Sequence, residues 1–167
     1  FAILFIWGII LTAVTSKFRE SLSKVRRSKE KLSKTLSMFK NVLKNKEFVF
    51  YTMQMFFTMG ILFSYIASSP FIIQVHYKFS PIAFSLFFAS NAAAIGIGAA
   101  ISSRFKNYEK SLQIGTAGMI ICSILLLFVL AGNASIVFFE GLLLVLCFMM
   151  GLTFPVTVSF ALNSARK

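Results

Sequence analysis

The chain has 167 residues, 57% of them hydrophobic, with 21 Phe, a mean hydropathy of +0.83 and a formal net charge of +12. That composition lies outside the range of a soluble globular domain. The absence of Asp, the single His76 and the lack of paired acids, Cys–Cys spacing or a Ser–His arrangement lead us to expect no enzyme activity, no metal and no cofactor.

The chain instead reads as an all-α integral membrane protein. Between Glu47 and Lys78, Lys78 and Arg104, and Lys110 and Arg166, the only charged residue is Glu140. Residues 1–14 are apolar and run into Lys17 and Arg19, as the end of a membrane span does on reaching a basic side. The chain opens on Phe1, without the basic start and cleavage site of a secretory signal. We therefore expect an internal piece of a longer polytopic protein, with further spans on the N-terminal side.

Residues 15–47 form a basic linker that holds 11 of the 17 Lys and Arg. Within it Phe18, Leu22, Val25, Leu32, Leu36, Phe39 and Leu43 recur at spacings of three and four, with Lys29 in the one vacant place. This predicts an amphipathic helix on the anionic inner leaflet, drawn there by about 1 kcal/mol per basic residue near the surface. A coiled-coil seam here would be short, broken at Lys29 and flanked almost entirely by one sign of charge. Nucleic acid would suit the charge, but no aromatic interleaving or binding motif accompanies it, so no nucleic-acid partner is expected.

Windows 48–68, 81–103, 112–131 and 135–162 each supply the roughly 20 apolar residues of a crossing. In lipid they must be helical, because the hydrocarbon offers no partner to a free backbone N–H or C=O. If each crosses once, 16 of the 17 basic residues fall on one side and Lys78 alone on the other. That asymmetry predicts a multi-pass protein of the cell membrane, with linker 15–47, loop 104–110 and the C-terminus cytoplasmic. Loops 69–80 and 132–134 are then outside.

In window 48–68, Tyr51, Gln54, Thr58 and Tyr65 fall near one helical face. That face either lines a water-accessible cavity or packs its polar groups against other helices. In window 81–103, Ala92, Gly96 and Ala100 form a small-residue stripe suited to close packing. Asn91 needs partners, either as an interhelical hydrogen bond or as a polar wall of a cavity. Cys122 and Cys147 fall inside spans, where free thiols pack as small apolar groups.

Glu140 sits about six residues into window 135–162, roughly 9 Å deep at 1.5 Å per residue. It either carries a proton or attracts a cationic substrate, or it reaches up to the headgroups, a reading favoured by the loop close by. In the same window Pro155 removes a helical hydrogen bond, so Gly151-Leu-Thr-Phe-Pro155 is either a gating kink or an ordinary membrane proline.

One stretch goes beyond generic patterning: Phe63-Ser-Tyr-Ile-Ala-Ser-Ser-Pro-Phe71, then Gln74, Tyr77, Ser80-Pro81 and Phe84-Ser-Leu-Phe-Phe-Ala-Ser-Asn91-Ala. It resembles spans seven and eight of major facilitator superfamily drug-resistance transporters of the Bcr/CflA group, and Gly151 to Pro155 is similar to the Gly-x-x-x-Pro of the tenth span. The resemblance implies that residues 1–14 end span six, that 15–47 is the central loop and that the four windows are spans seven to ten. It also implies a twelve-span fold in two pseudo-symmetric halves, with a missing six-span N-terminal half. Tyr51, Gln54, Tyr65, Asn91 and Glu140 become candidates for the substrate cavity. The superfamily's Gly-x-x-x-Asp-Arg-x-Gly loop is met here by Ala99, Ser103, Arg104 and Lys106, so only Arg104 matches. The expected function is proton-coupled efflux of drugs or other amphipathic small molecules. The alternatives are a narrow-specificity metabolite uniporter or symporter, and a non-transporting membrane scaffold.

Overall fold

The computed structural model describes residues 2–18, 32–105, 107–132 and 134–165, and the chain divides into two compact units, Phe1–Met38 and Phe39–Lys167. The first contains α1 (Ala2–Lys17), an apolar helix with no buried residue. Its Thr12 and Thr15 hydroxyls donate to the carbonyls of Gly8 and Leu11, both at 2.7 Å, which satisfies them within the helix. The basic segment 19–31, the first part of the expected amphipathic helix, lies outside the described residues. Its second part is α2 (Leu32–Lys44), which spans the boundary between the units.

The second unit is a bundle of α3 (Lys46–Pro70), α4 (Pro81–Ser102), α5 (Tyr108–Ala131) and α6 (Ile136–Ser164). All four are long and apolar enough to cross a membrane, as a multi-pass fold requires. Half of the apolar window of α6 is buried, against 11–22% for the other three, because α6 packs on each of α3, α4 and α5. Their outward faces carry exposed apolar side chains such as Phe50, Phe57, Ile82, Leu127 and Phe138, a surface suited to lipid.

The starts of α3, α4 and α5 are set by side-chain caps, and those of α3 and α5 lie outside the apolar windows. Asn45 accepts from the N–H groups of Glu47 and Phe48, so α3 begins among charged residues. Asn107 does the same for Glu109 and Lys110, starting α5 four residues before its apolar window. Ser80 caps α4 through Ala83 N–H, and Pro81 fills a position that needs no donor.

The loop expected at 69–80 is partly helical. Pro70 cannot donate, and the chain continues as a π-helical turn, Phe71–His76. Lys78 then takes a left-handed φ of 58°, which ends the turn and lets Ser80 start α4. This end is tied by Tyr77, whose hydroxyl donates to Ala134 O at 2.9 Å. Burial pushes the Tyr77 phenol up from its usual pKa, keeping the donor protonated.

Two close crossings hold the bundle. At the α4–α6 crossing, a Cβ on Gly98 would meet Phe148 O, and one on Gly151 would meet Ile95 O. At the α5–α6 crossing, a Cβ on Gly115 would meet Thr153 Oγ1, and Ser111 Oγ donates to Leu152 O at 3.3 Å. The expected packing stripe of α4 is thereby corrected: Ala92, Gly96 and Ala100 are exposed, and Gly96 has nothing near its Cβ position. The packed face carries Asn91, Gly98 and Ser102, because that is where the polar group of α4 finds its partner on α6.

Candidate functional site

The candidate cavity residues fall into two separate groups. The first joins three helices. Asn91 of α4 is fully buried, and its Nδ2 donates at 3.1 Å to Tyr65 Oη of α3 and at 2.8 Å to Glu140 Oε1 of α6. Glu140 is only 6% exposed, so the headgroup reading of this carboxylate gives way to an interior one. Glu140 lies one turn into α6, beside Phe139 and one turn before Leu143 of the buried apolar cluster, and Asn91 offers a directed donor there. The amide orientation follows from donors and acceptors, since reversing it would set an oxygen against the carboxylate. Asn91 Oδ1 and Glu140 Oε2 are buried without a hydrogen-bond partner. Two acceptors facing no donor leave this cluster able to take a proton or a positively charged group.

Tyr65 connects the cluster to a cavity of about 440 Å³ between α3, α5 and α6. Its ring stacks on Phe88 at 5.7 Å between centroids, and it shares the cavity wall with Ser64, Ser69, Ser123, Phe139 and Leu143. Ser69 is 1% exposed and its Oγ has no partner. In the sequence Ser69 stands out only as part of the stretch that carries the family resemblance, not as a cavity residue.

The second group lies toward the basic end of α3. Gln54 Nε2 donates to Thr116 Oγ1 of α5 at 2.9 Å, and Tyr51 packs its ring 5.1 Å from that of Phe160 on α6. Tyr51, Gln54, Glu109 and Thr116 line a cavity of about 460 Å³. Thr58, expected on the same face, is buried with its hydroxyl donating to Gln54 O. Thr116 escapes a reading of the sequence, since one threonine in an apolar helix gives no periodic signal.

Of the remaining candidates, Pro155 is exposed and borders a cavity of about 300 Å³ with Ser102, Tyr108, Phe160 and Asn163. Gly151 is buried at the α4–α6 crossing, and α6 runs on through Pro155 as one helix. Arg104 is exposed just beyond α4, with its N–H donating to Ile101 O at 2.9 Å.

Among proteins of known sequence, the chain is 31% identical over 115 residues to "Uncharacterized MFS-type transporter YdgK" of Bacillus subtilis (strain 168). That match covers 67% of this chain and 29% of the relative. No solved structure matches the chain. The family model of the Major Facilitator Superfamily matches residues 1–167, and a bundle of membrane-length helices around α6 agrees with it: the chain belongs to that superfamily of secondary transporters.

Proposed function

We propose that the full-length protein containing this chain is a secondary active transporter of the cell membrane that exports drugs or other amphipathic small molecules in exchange for protons. The observation that carries the reading is Glu140, an interior carboxylate with one oxygen held by Asn91 and the other unpartnered. A buried carboxylate of this kind suits alternate occupation by a proton and by a cationic substrate. Tyr65 stands between it and a largely apolar cavity of about 440 Å³, a size suited to a small amphipathic molecule. The resemblance to the Bcr/CflA drug-resistance group supports the same reading. The basic linker and Arg104 then face the cytoplasm.

The test is efflux of a fluorescent cationic dye in everted vesicles containing the full-length protein, with and without a proton uncoupler. Dye movement abolished by uncoupler in the wild type, and made indifferent to pH by Glu140→Gln, is the expected result. An unchanged pH dependence in Glu140→Gln removes the proton role. Transport of one compound with no competition from unrelated amphipathic molecules replaces drug efflux with a narrow-specificity carrier.

A further inference from the structure

Asn45 is the sole residue between α2 and α3, and it binds in two directions. Its Oδ1 accepts from Glu47 N–H at 3.0 Å and Phe48 N–H at 3.4 Å, capping α3. Its Nδ2 donates at 2.8 Å to Ser164 O, one of the carbonyls that the end of α6 leaves open. The residue that ends α2 thus fastens α3 to α6.

α2 has an uncovered apolar side. Phe39 and Leu43 are 65% and 60% exposed, four residues apart, and Leu32 and Leu36 precede them in the sequence at helical spacings of three and four. α2 carries three lysines, Lys34, Lys40 and Lys44, and no carboxylate. Because one residue separates α2 from a membrane-length helix, the last turn of α2 cannot leave the membrane boundary. An apolar pair set among like positive charges at that boundary matches a bilayer surface bearing negative headgroups. A helical protein partner would instead call for mixed charges beside the apolar seam.

We propose that α2 docks on an anionic phospholipid surface through Phe39, Leu43 and its lysines, and that Asn45 passes this docking to α6 as a clamp on its last turn. Docking fixes the backbone at Asn45 and with it the amide that holds Ser164 O. In a neutral membrane the lysines lose their attraction, the junction loosens and the end of α6 frays. The lipid composition at the basic end thereby sets the mobility of the helix at the centre of the bundle.

The test is hydrogen exchange, read by mass spectrometry, on the full-length protein in nanodiscs of phosphatidylcholine alone or mixed with phosphatidylglycerol. Amides of α2 and of residues 161–165 should exchange at least about fivefold more slowly in the anionic discs, the lower end of ordinary coupling strengths. High salt should shrink the difference. Asn45→Asp keeps the acceptor that caps α3 but has no N–H for Ser164, so protection of α2 should persist while the gain at α6 disappears. Replacing Lys34, Lys40 and Lys44 by Gln, with Asn45 intact, should remove the lipid difference at both places. Equal exchange of α2 in the two lipids, or an α6 gain that survives Asn45→Asp, would overturn the proposal. Neither readout involves transport, so its failure leaves the proposed function untouched.

Discussion

A single methyl group at the α4–α6 crossing should damage both the fold and the site. A Cβ on Gly151 would sit 2.9 Å from Ala99 N and against Ile95 O, whereas ordinary contact begins near 3.4 Å. These neighbours are backbone atoms within a helix, so no side chain can rotate away and the helices themselves must separate. Moving from 2.9 to 3.4 Å requires about 0.5 Å, and clearing the carbonyl requires more, enough to forfeit a quarter or so of the contact energy along the seam. We expect Gly151→Ala to destabilise the protein by about 1–3 kcal/mol, the usual range for overpacking. A separation near 1 Å would also stretch the 2.8 Å Asn91–Glu140 bond past hydrogen-bonding distance. The assay is SDS-induced unfolding of the purified full-length protein in micelles, with Gly96→Ala as the control because nothing lies near its Cβ position. Equal stability of Gly151→Ala and Gly96→Ala would refute the close crossing.

Asn91→Ala should cost about 1–3 kcal/mol, because it leaves the buried Glu140 carboxyl without its donor, while adding Glu140→Gln should recover part of that loss. A double-mutant cycle in the same unfolding assay measures the coupling, and additive effects would show that the two side chains act independently. Tyr77→Phe should cost about 1 kcal/mol by removing the bond to Ala134 O. Since the folded phenol titrates above its usual value near 10, that bond contributes fully at neutral pH and is lost only as pH rises through the folded value. The stability difference between wild type and Tyr77→Phe should therefore be flat around neutrality and shrink only in strong alkali.

The spans were legible because charge is so costly in lipid that 20-residue gaps between lysines and acids mark where a chain crosses. Their ends were not, because Asn45 and Asn107 carry the helices into charged sequence that hydropathy treats as loop. Tyr65, Asn91 and Glu140 could each be singled out as polar residues in apolar windows, yet their meeting could not be read. They lie 26 and 49 residues apart, and which faces of three helices converge depends on small residues at the crossings. The stripe of Ala92, Gly96 and Ala100 had the right composition for such a crossing but sits on the opposite side of α4 from Asn91, whose need for a partner decides which side turns inward.

The central position of α6 also bears on how the protein is made. α6 is the last of the four bundle helices to leave the ribosome, and it is the one on which the other three pack. Until it enters the bilayer, Asn91 has no Glu140, Ser111 has no Leu152 carbonyl, and the crossings at Gly98 and Gly115 have no opposing surface. Three inserted helices must therefore wait in the membrane with the Asn91 amide held by Tyr65 of α3 alone and the surfaces that α6 will meet still open.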